Sequence, residues 1–220
     1  MDAQIVLLIV AALTFPLVPA YFLTLQMSRP EKMIHNLSPS ELDQCNWRIQ
    51  QHQSWLASVN LQFLTAFRFG SIKALVYKQY NAPRYFTFHF HEARCTFGVQ
   101  SYFQDGKAVE TATSGDTGMH PLPGLYKQSF PGLSPEEAWR RHLEGEAHFI
   151  NIHGFVHTPL TTEFKQALCD EIRATMRYTR SQPFWPFRQY YRFFVTRHRL
   201  RNRSVAELYP LKSGPAVAHP

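Results

Sequence analysis

The sequence predicts an α+β fold: one N-terminal transmembrane helix, then a cytoplasmic domain in which helices cover an antiparallel sheet of about five strands. Three observations predict it. Residues 5–27 contain no charged side chain, residues 61–113 hold short runs of aromatic and β-branched residues, and helix-start signals stand at Ser38 and Ser134. We divide the chain into an anchor (1–28), an α+β domain (29–205) and a C-terminal tail (206–220).

The uncharged run is long enough to cross a bilayer, since about 20 mostly apolar residues span the hydrocarbon core. A cleaved signal peptide is the alternative, because residues 18–20 resemble a cleavage site. The first residues carry no Lys or Arg, however, and the apolar run is longer than a signal peptide requires, which favours an anchor. Asp2 precedes the run and Arg29 and Lys32 follow it, so we predict a single-pass protein of the inner or plasma membrane with the N-terminus outside.

The secondary structure of the remaining chain follows from caps and periodicity. Ser38, with Glu41 three residues later, predicts a helix over 39–53, and Ser134 before Pro135 predicts a second helix. A third helix is predicted over 162–177 from apolar residues at i, i+4 spacing. Asp-Gly at 105–106 predicts a hairpin between two strands of the sheet.

The stretch YFTFHFH alternates strictly. Phe86, Phe88 and Phe90 share one face of the predicted strand, and the residues between them share the other. We interpret the second face as the solvated side of the sheet.

Charge and cysteine usage narrow the functional classes. Residues 171–220 hold ten of the 23 Lys and Arg but only two of the 16 Asp and Glu, so their net charge is +8. The basic segment predicts an anionic surface as its partner.

The three cysteines show no CxxC or zinc-ribbon spacing, and unpaired cysteines fit a reducing compartment, although two of them could pair in an oxidising one.

Histidines are the candidate metal ligands. Two imidazoles two residues apart in a strand lie on the same face, and further histidines follow in a loop-like segment. The alternative is that these are ordinary surface and loop histidines. The candidate metal-binding residues are His89, His91, His153 and His157. No nucleotide-binding, hydrolase or zinc-protease motif accompanies them, so we predict no cofactor and favour a non-enzymatic protein.

The segment FWPFRQYYRFFVTRHRLRNR, residues 184–203, combines aromatic and basic side chains. It could pack on the sheet, lie against anionic lipid, contact another membrane protein, or bind nucleic acid through phosphates and unpaired bases. A membrane anchor would favour lipid over nucleic acid. The candidate contact residues are Trp185, Arg188, Tyr191, Arg192, Phe194, Arg197, Arg199, Arg201 and Arg203.

The order of elements along the chain also resembles that of a known class of proteins. The stretches SYFQDGKAVETATS and FPGLSPEEAWRRHLEG, after an N-terminal anchor and a short helix, make the chain resemble uncharacterised single-pass bacterial membrane proteins of the α+β class. No activity or site residue follows from that resemblance. The sequence therefore predicts a membrane-anchored, non-enzymatic accessory or scaffold protein, with a membrane-tethered, metal-dependent hydrolase using the histidines as the alternative.

Overall fold

The computed structural model describes residues 27–114, 122–192, 198 and 201–210. In these residues the protein is an α+β fold built on one seven-stranded sheet. The strands are β1 (Ile34–His35), β2 (Leu61–Phe69), β3 (Ile72–Gln79), β4 (Arg84–His91), β5 (Arg94–Tyr102), β6 (Ala108–Ala112) and β7 (Leu125–Ser129). The α-helices are α1 (Pro39–Ile49), α2 (Gln53–Ser58), α3 (Pro135–His153), α4 (Phe164–Ser181), α5 (Trp185–Tyr191) and α6 (Val205–Leu208).

The strands lie side by side in chain order. Every neighbouring pair from β1 to β6 is antiparallel, whereas β6 and β7 are parallel. A parallel pair needs a connection of about a dozen residues, and twelve residues lie in the sequence between the end of β6 and the start of β7. The predicted α+β class is confirmed. The predicted antiparallel sheet of about five strands is wrong, because the sheet has seven strands and one parallel pair.

Local sequence accounts for several element boundaries. At the start of α1, Ser38 Oγ accepts a hydrogen bond from Glu41 N at 3.3 Å, and Glu41 Oε2 accepts one from Ser38 N at 3.0 Å. At the start of α3, Ser134 Oγ accepts a hydrogen bond from Glu137 N at 3.2 Å. Between β5 and β6, Asp105 and Gly106 both have positive φ values, 61° and 69°, as a type I′ turn requires. The predicted caps and hairpin are confirmed.

The first face of the sheet packs against α1, α2 and α3. Strand alternation places Phe86, Phe88 and Phe90 on this face, where they are 0%, 0% and 3% exposed. The rings of Trp55 from α2 and Trp139 from α3 lie 5.2 and 6.3 Å from Phe86. Burial of these aromatic side chains supplies much of the hydrophobic stabilisation of this layer.

The second face packs against α4, which corrects the prediction of a solvated face. Tyr85 and Thr87 point to this side and are only 3% and 8% exposed. The ring of Phe164, at the start of α4, lies 5.2 Å from that of Tyr85. Of the four residues that β4 directs to this side, His91 at the strand end is exposed. The protein therefore has three layers, with the sheet in the middle.

The prediction of a membrane-anchored protein is corrected. In the part of the chain that the structure describes, no helix is both long enough and apolar enough to cross a membrane. The run proposed as the anchor lies outside the described residues, apart from Met27. The single-pass topology, with its N-terminus outside and the bulk of the chain in the cytoplasm, depended on that helix and is corrected with it.

Candidate functional site

A cavity of about 520 Å³ lies between the second face of the sheet and α4. Its apolar lining includes Phe67, Phe69, Ile72, Ala74, Phe164, Leu168 and Ile172. Its polar lining includes Thr87, His89, Thr96, Gln100, Glu110, Lys127, Ser129, Glu171, Thr175 and Arg192. Small-molecule sites in proteins have volumes of roughly 300–1,000 Å³ and combine an apolar lining with a few converging polar groups, so the cavity fits that description.

The lining changes character across the sheet. At the β2–β3 side the sheet contributes only apolar side chains to the cavity. Strands β5, β6 and β7 contribute Gln100, Glu110, Lys127 and Ser129, together with the apolar Ala112 and Leu125. The strand order places these two groups at opposite sides of one continuous surface. Neighbouring strands lie about 4.8 Å apart, so β3 and β7 are separated by roughly 19 Å. The cavity therefore has an apolar side and a polar side.

Two carboxylates stand at the polar side. Glu110 on β6 pairs with Lys127 on β7, where the Nζ–Oε2 distance is 2.5 Å. Glu171 comes from α4, on the opposite wall, and its Oε2 accepts a hydrogen bond from Gln100 Nε2 at 2.7 Å. Burial raises the pKa of Glu171, Lys127 lowers it in part, and the negative charge of Glu110 raises it further.

Ser129, on the same side, contributes a hydroxyl to the cavity wall. The residue is 5% exposed, and its Oγ has no hydrogen-bond partner among the described residues. Buried polar groups are nearly always paired, so an unpaired hydroxyl on a cavity wall indicates where a bound molecule can supply a partner.

His89 lies in the middle of the cavity wall, beside Gly98 on β5. A Cβ atom at residue 98 would lie 3.1 Å from His89 Cε1, so glycine gives the imidazole the room that it occupies. Burial lowers the pKa of His89, although the charge of Glu110 opposes that shift. At neutral pH the ring is therefore an uncharged hydrogen-bonding group.

A second set of polar residues lies on the first face, in the interior. We call it the buried polar cluster, and it consists of Arg84, Ser101, Thr111, Gln128, His142 and Glu146. Gln128 Nε2 donates to Thr111 Oγ1 at 2.8 Å, so the Thr111 hydroxyl can donate to His142 Nδ1 at 3.0 Å. Ser101 Oγ donates to Glu146 Oε2 at 2.5 Å, which leaves His142 Nε2 to donate to Ser101 Oγ at 2.8 Å.

The buried polar cluster is not a nucleophilic site, although it contains a serine beside a histidine. Ser101 and His142 are both 0% exposed. The hydrogen-bond directions make His142 Nε2 a donor to Ser101, whereas a general base must accept the serine proton. The cluster instead satisfies the buried polar groups between α3 and the sheet.

The four histidines proposed as metal ligands occupy different places. His89 lines the cavity, and His91 is exposed at the end of β4. His153 ends α3, with its ring 5.4 Å from that of Phe149, and His157 Nε2 lies 3.1 Å from Glu146 Oε1. Among the described residues, no group of three or more His, Cys, Asp or Glu side chains is arranged to hold a metal ion.

In the helical part of the basic aromatic segment, polar residues are buried and several aromatic side chains are exposed. The buried residues of its helical part are Gln189 and Arg192, each 9% exposed, whereas Phe184, Phe187 and Tyr191 are 80%, 52% and 55% exposed. Trp185 is partly buried and Arg188 is exposed, while Arg201 and Arg203 are exposed beside β7. Phe194, Arg197 and Arg199 lie outside the described residues. Contact of this segment with a partner stays a prediction.

The residues predicted from the sequence do not include Gln100, Glu110, Lys127, Ser129 or Glu171. A signal for Glu171 was present, because on α4 it falls three residues after Leu168 and so shares the apolar face. The strand residues carry no such signal, since their meeting depends on the register of β6 with β7. Comparison with known proteins adds no further site residue: the chain matches no protein-family model, no curated protein and no solved structure.

Proposed function

We propose that the protein binds an amphiphilic small molecule in the cavity between the sheet and α4. The observation that carries this proposal is the separation of apolar and polar lining along one continuous wall. An apolar body would lie against Phe67, Phe69 and Leu168, and a polar head would lie near Ser129 and Glu171. Burying the body would drive binding, at roughly 25 cal/mol for each Å² removed from water, while the polar groups would fix its orientation.

A cavity-filling variant tests this proposal. Ala112 on β6 lines the cavity, so Ala112→Leu adds volume there without removing a contact. The matched control is Ala57→Leu, at an exposed position on α2. The probe is N-phenyl-1-naphthylamine, an apolar dye whose fluorescence rises when it leaves water.

We expect the full-length protein to bind the dye at one saturable site. Ala112→Leu should weaken binding at least tenfold, and Ala57→Leu should leave it unchanged, with both variants folded by circular dichroism. Equal dye affinity in Ala112→Leu and the unaltered protein would show that the dye binds elsewhere and would overturn the proposal. The predicted non-enzymatic accessory or scaffold role and the alternative of histidine-dependent hydrolysis stay predictions.

A further inference from the structure

We infer that the molecule bound in the cavity carries a primary amine as its head group, held by the carboxylate of Glu171. This inference rests on the proposed function, because it names the chemistry of the ligand at that same site. It follows from which polar groups of the lining are already satisfied and which are not.

The charged side chains at the polar side of the cavity differ in whether an oppositely charged group lies close to them. Glu110 and Lys127 neutralise each other across β6 and β7 at 2.5 Å. Arg192, which also lines the cavity, has a partner of its own. Glu171 accepts a hydrogen bond from the amide of Gln100, yet no Lys, Arg or His nitrogen of the described residues lies within 4.0 Å of its carboxylate. Glu171 is thus a carboxylate that lacks a close cation.

The polar groups of this wall that lack a full set of partners can mainly accept further hydrogen bonds. A carboxylate accepts up to four hydrogen bonds, and Gln100 supplies one. The unpaired hydroxyl of Ser129 can accept another. A primary ammonium offers three donors and a positive charge, so it complements the carboxylate of Glu171. A carboxylate head would meet Glu171 with like charge, and a hydroxyl head would offer a single donor.

The ionisation of Glu171 agrees with this geometry. Burial raises the pKa of Glu171, with Glu110 on β6 adding to the shift and Lys127 on β7 opposing it. An ammonium beside the carboxylate favours its charged form. Binding of an amine should therefore lower the pKa of Glu171 and release protons, in proportion to the fraction of Glu171 that is protonated before binding.

The test compares three ligands with the same ten-carbon chain, namely decylamine, decanol and decanoate, in displacing N-phenyl-1-naphthylamine at pH 7. A charge-assisted hydrogen bond in a site of low polarity is strong enough for a tenfold preference. We expect decylamine to displace the dye at a concentration at least tenfold below that of decanol, with decanoate the weakest. Glu171→Gln should remove most of the preference for decylamine over decanol. The matched control is Glu163→Gln, an exposed residue at the start of α4.

The outcomes separate the two proposals. If the dye binds in the cavity but decanoate or decanol competes as well as decylamine, the amine inference is overturned and the proposed function stands. If Glu171→Gln and Glu163→Gln keep the same preference for decylamine, Glu171 is not the group that holds the head, and the inference also fails. If Ala112→Leu does not alter dye binding, the proposed function itself fails.

Discussion

Arg84 and Glu146 join the sheet to α3 through the interior of the protein. The guanidinium Nε of Arg84 lies 2.8 and 3.0 Å from the two carboxylate oxygens of Glu146, and its Nη2 donates to the same carboxylate. Glu146 is 2% exposed. Ser101 donates to the carboxylate from β5, so three elements of the first face meet at one charged group.

Glu146→Gln should destabilise the fold strongly. The substitution removes the charge that Arg84 neutralises, and breaking a buried ion pair from one side costs about 3–5 kcal/mol. Because the side chain of Arg84 is 21% exposed, we expect the lower end, about 3 kcal/mol, in urea unfolding. Glu144→Gln is the control, since Glu144 is exposed on the same helix and its ion pairs with Arg140 and Arg141 contribute at most about 1 kcal/mol. Equal losses in the two variants would contradict a structural role for the interior pair.

Acid should weaken the fold through His142. Burial lowers the pKa of His142 to about 4, whereas an unfolded histidine has a pKa of about 6.5. The unfolded state therefore binds more protons over this range, and stability is lost as the pH falls from about 6.5 towards 4. The linkage relation gives a loss of about 2 kcal/mol from this residue between pH 7 and pH 5.

The measurement is the free energy of unfolding in urea at both pH values. Hydrogen bonds from Arg84 and Ser101 outweigh burial and hold the pKa of Glu146 below its ordinary range, so this carboxylate adds to the loss at lower pH. The raised pKa of Glu171 acts in the opposite direction. His142→Gln should reduce the pH dependence by about 2 kcal/mol, and His91→Gln, at an exposed position, should leave it intact. If the free energy of unfolding of His142→Gln fell between pH 7 and pH 5 as much as that of the unaltered protein, His142 would not be a source of the acid sensitivity.

Local signals in the sequence were enough to predict the helix caps, the hairpin and the alternation of β4. The serine caps and the Asp-Gly turn involve neighbours in sequence, so their geometry is set by a few residues. Alternation correctly separated Phe86, Phe88 and Phe90 from the residues between them. It could not show that α4 covers the other face, because that depends on how a helix some 80 residues later packs against the sheet.

Local sequence signals could not predict the cavity either, because its lining residues come together only through long-range packing. Glu171 meets Gln100 across the space between α4 and β5, and Glu110 meets Lys127 only because β6 and β7 pair in parallel. A strong compositional signal in the sequence lies elsewhere, in the basic aromatic segment of residues 184–203. Phe184, Phe187 and Tyr191 are exposed, whereas Gln189 on α5 and Arg192 just after it take the buried positions.

Gly145→Ala should destabilise the protein although alanine favours helix by about 1 kcal/mol. An added Cβ would lie 2.8 Å from Val205 Cγ2, closer than such atoms approach, and 3.0 Å from Gln128 Nε2, which is tighter than an ordinary contact. Overpacking of this kind costs about 1–3 kcal/mol, so we expect a net loss of about 1 kcal/mol in urea unfolding. Combining it with Val205→Ala should cost less than the sum of the two single losses, because the clash with Cγ2 disappears. Additive losses would mean that the two residues do not compete for the same space.

The substitution Phe→Ala should reduce the free energy of unfolding strongly at a buried position on α4 and hardly at all at an exposed position on α5. Phe164 is 8% exposed and packs on Tyr85 with ring centroids 5.2 Å apart, so Phe164→Ala should cost about 3–5 kcal/mol. Phe187 is 52% exposed on α5, and Phe187→Ala should change the free energy of unfolding by no more than about 0.5 kcal/mol. Urea unfolding at low protein concentration, which disfavours self-association, compares the two variants. A loss above about 2 kcal/mol in Phe187→Ala would show that the aromatic side of α5 is packed within the fold rather than exposed to solvent.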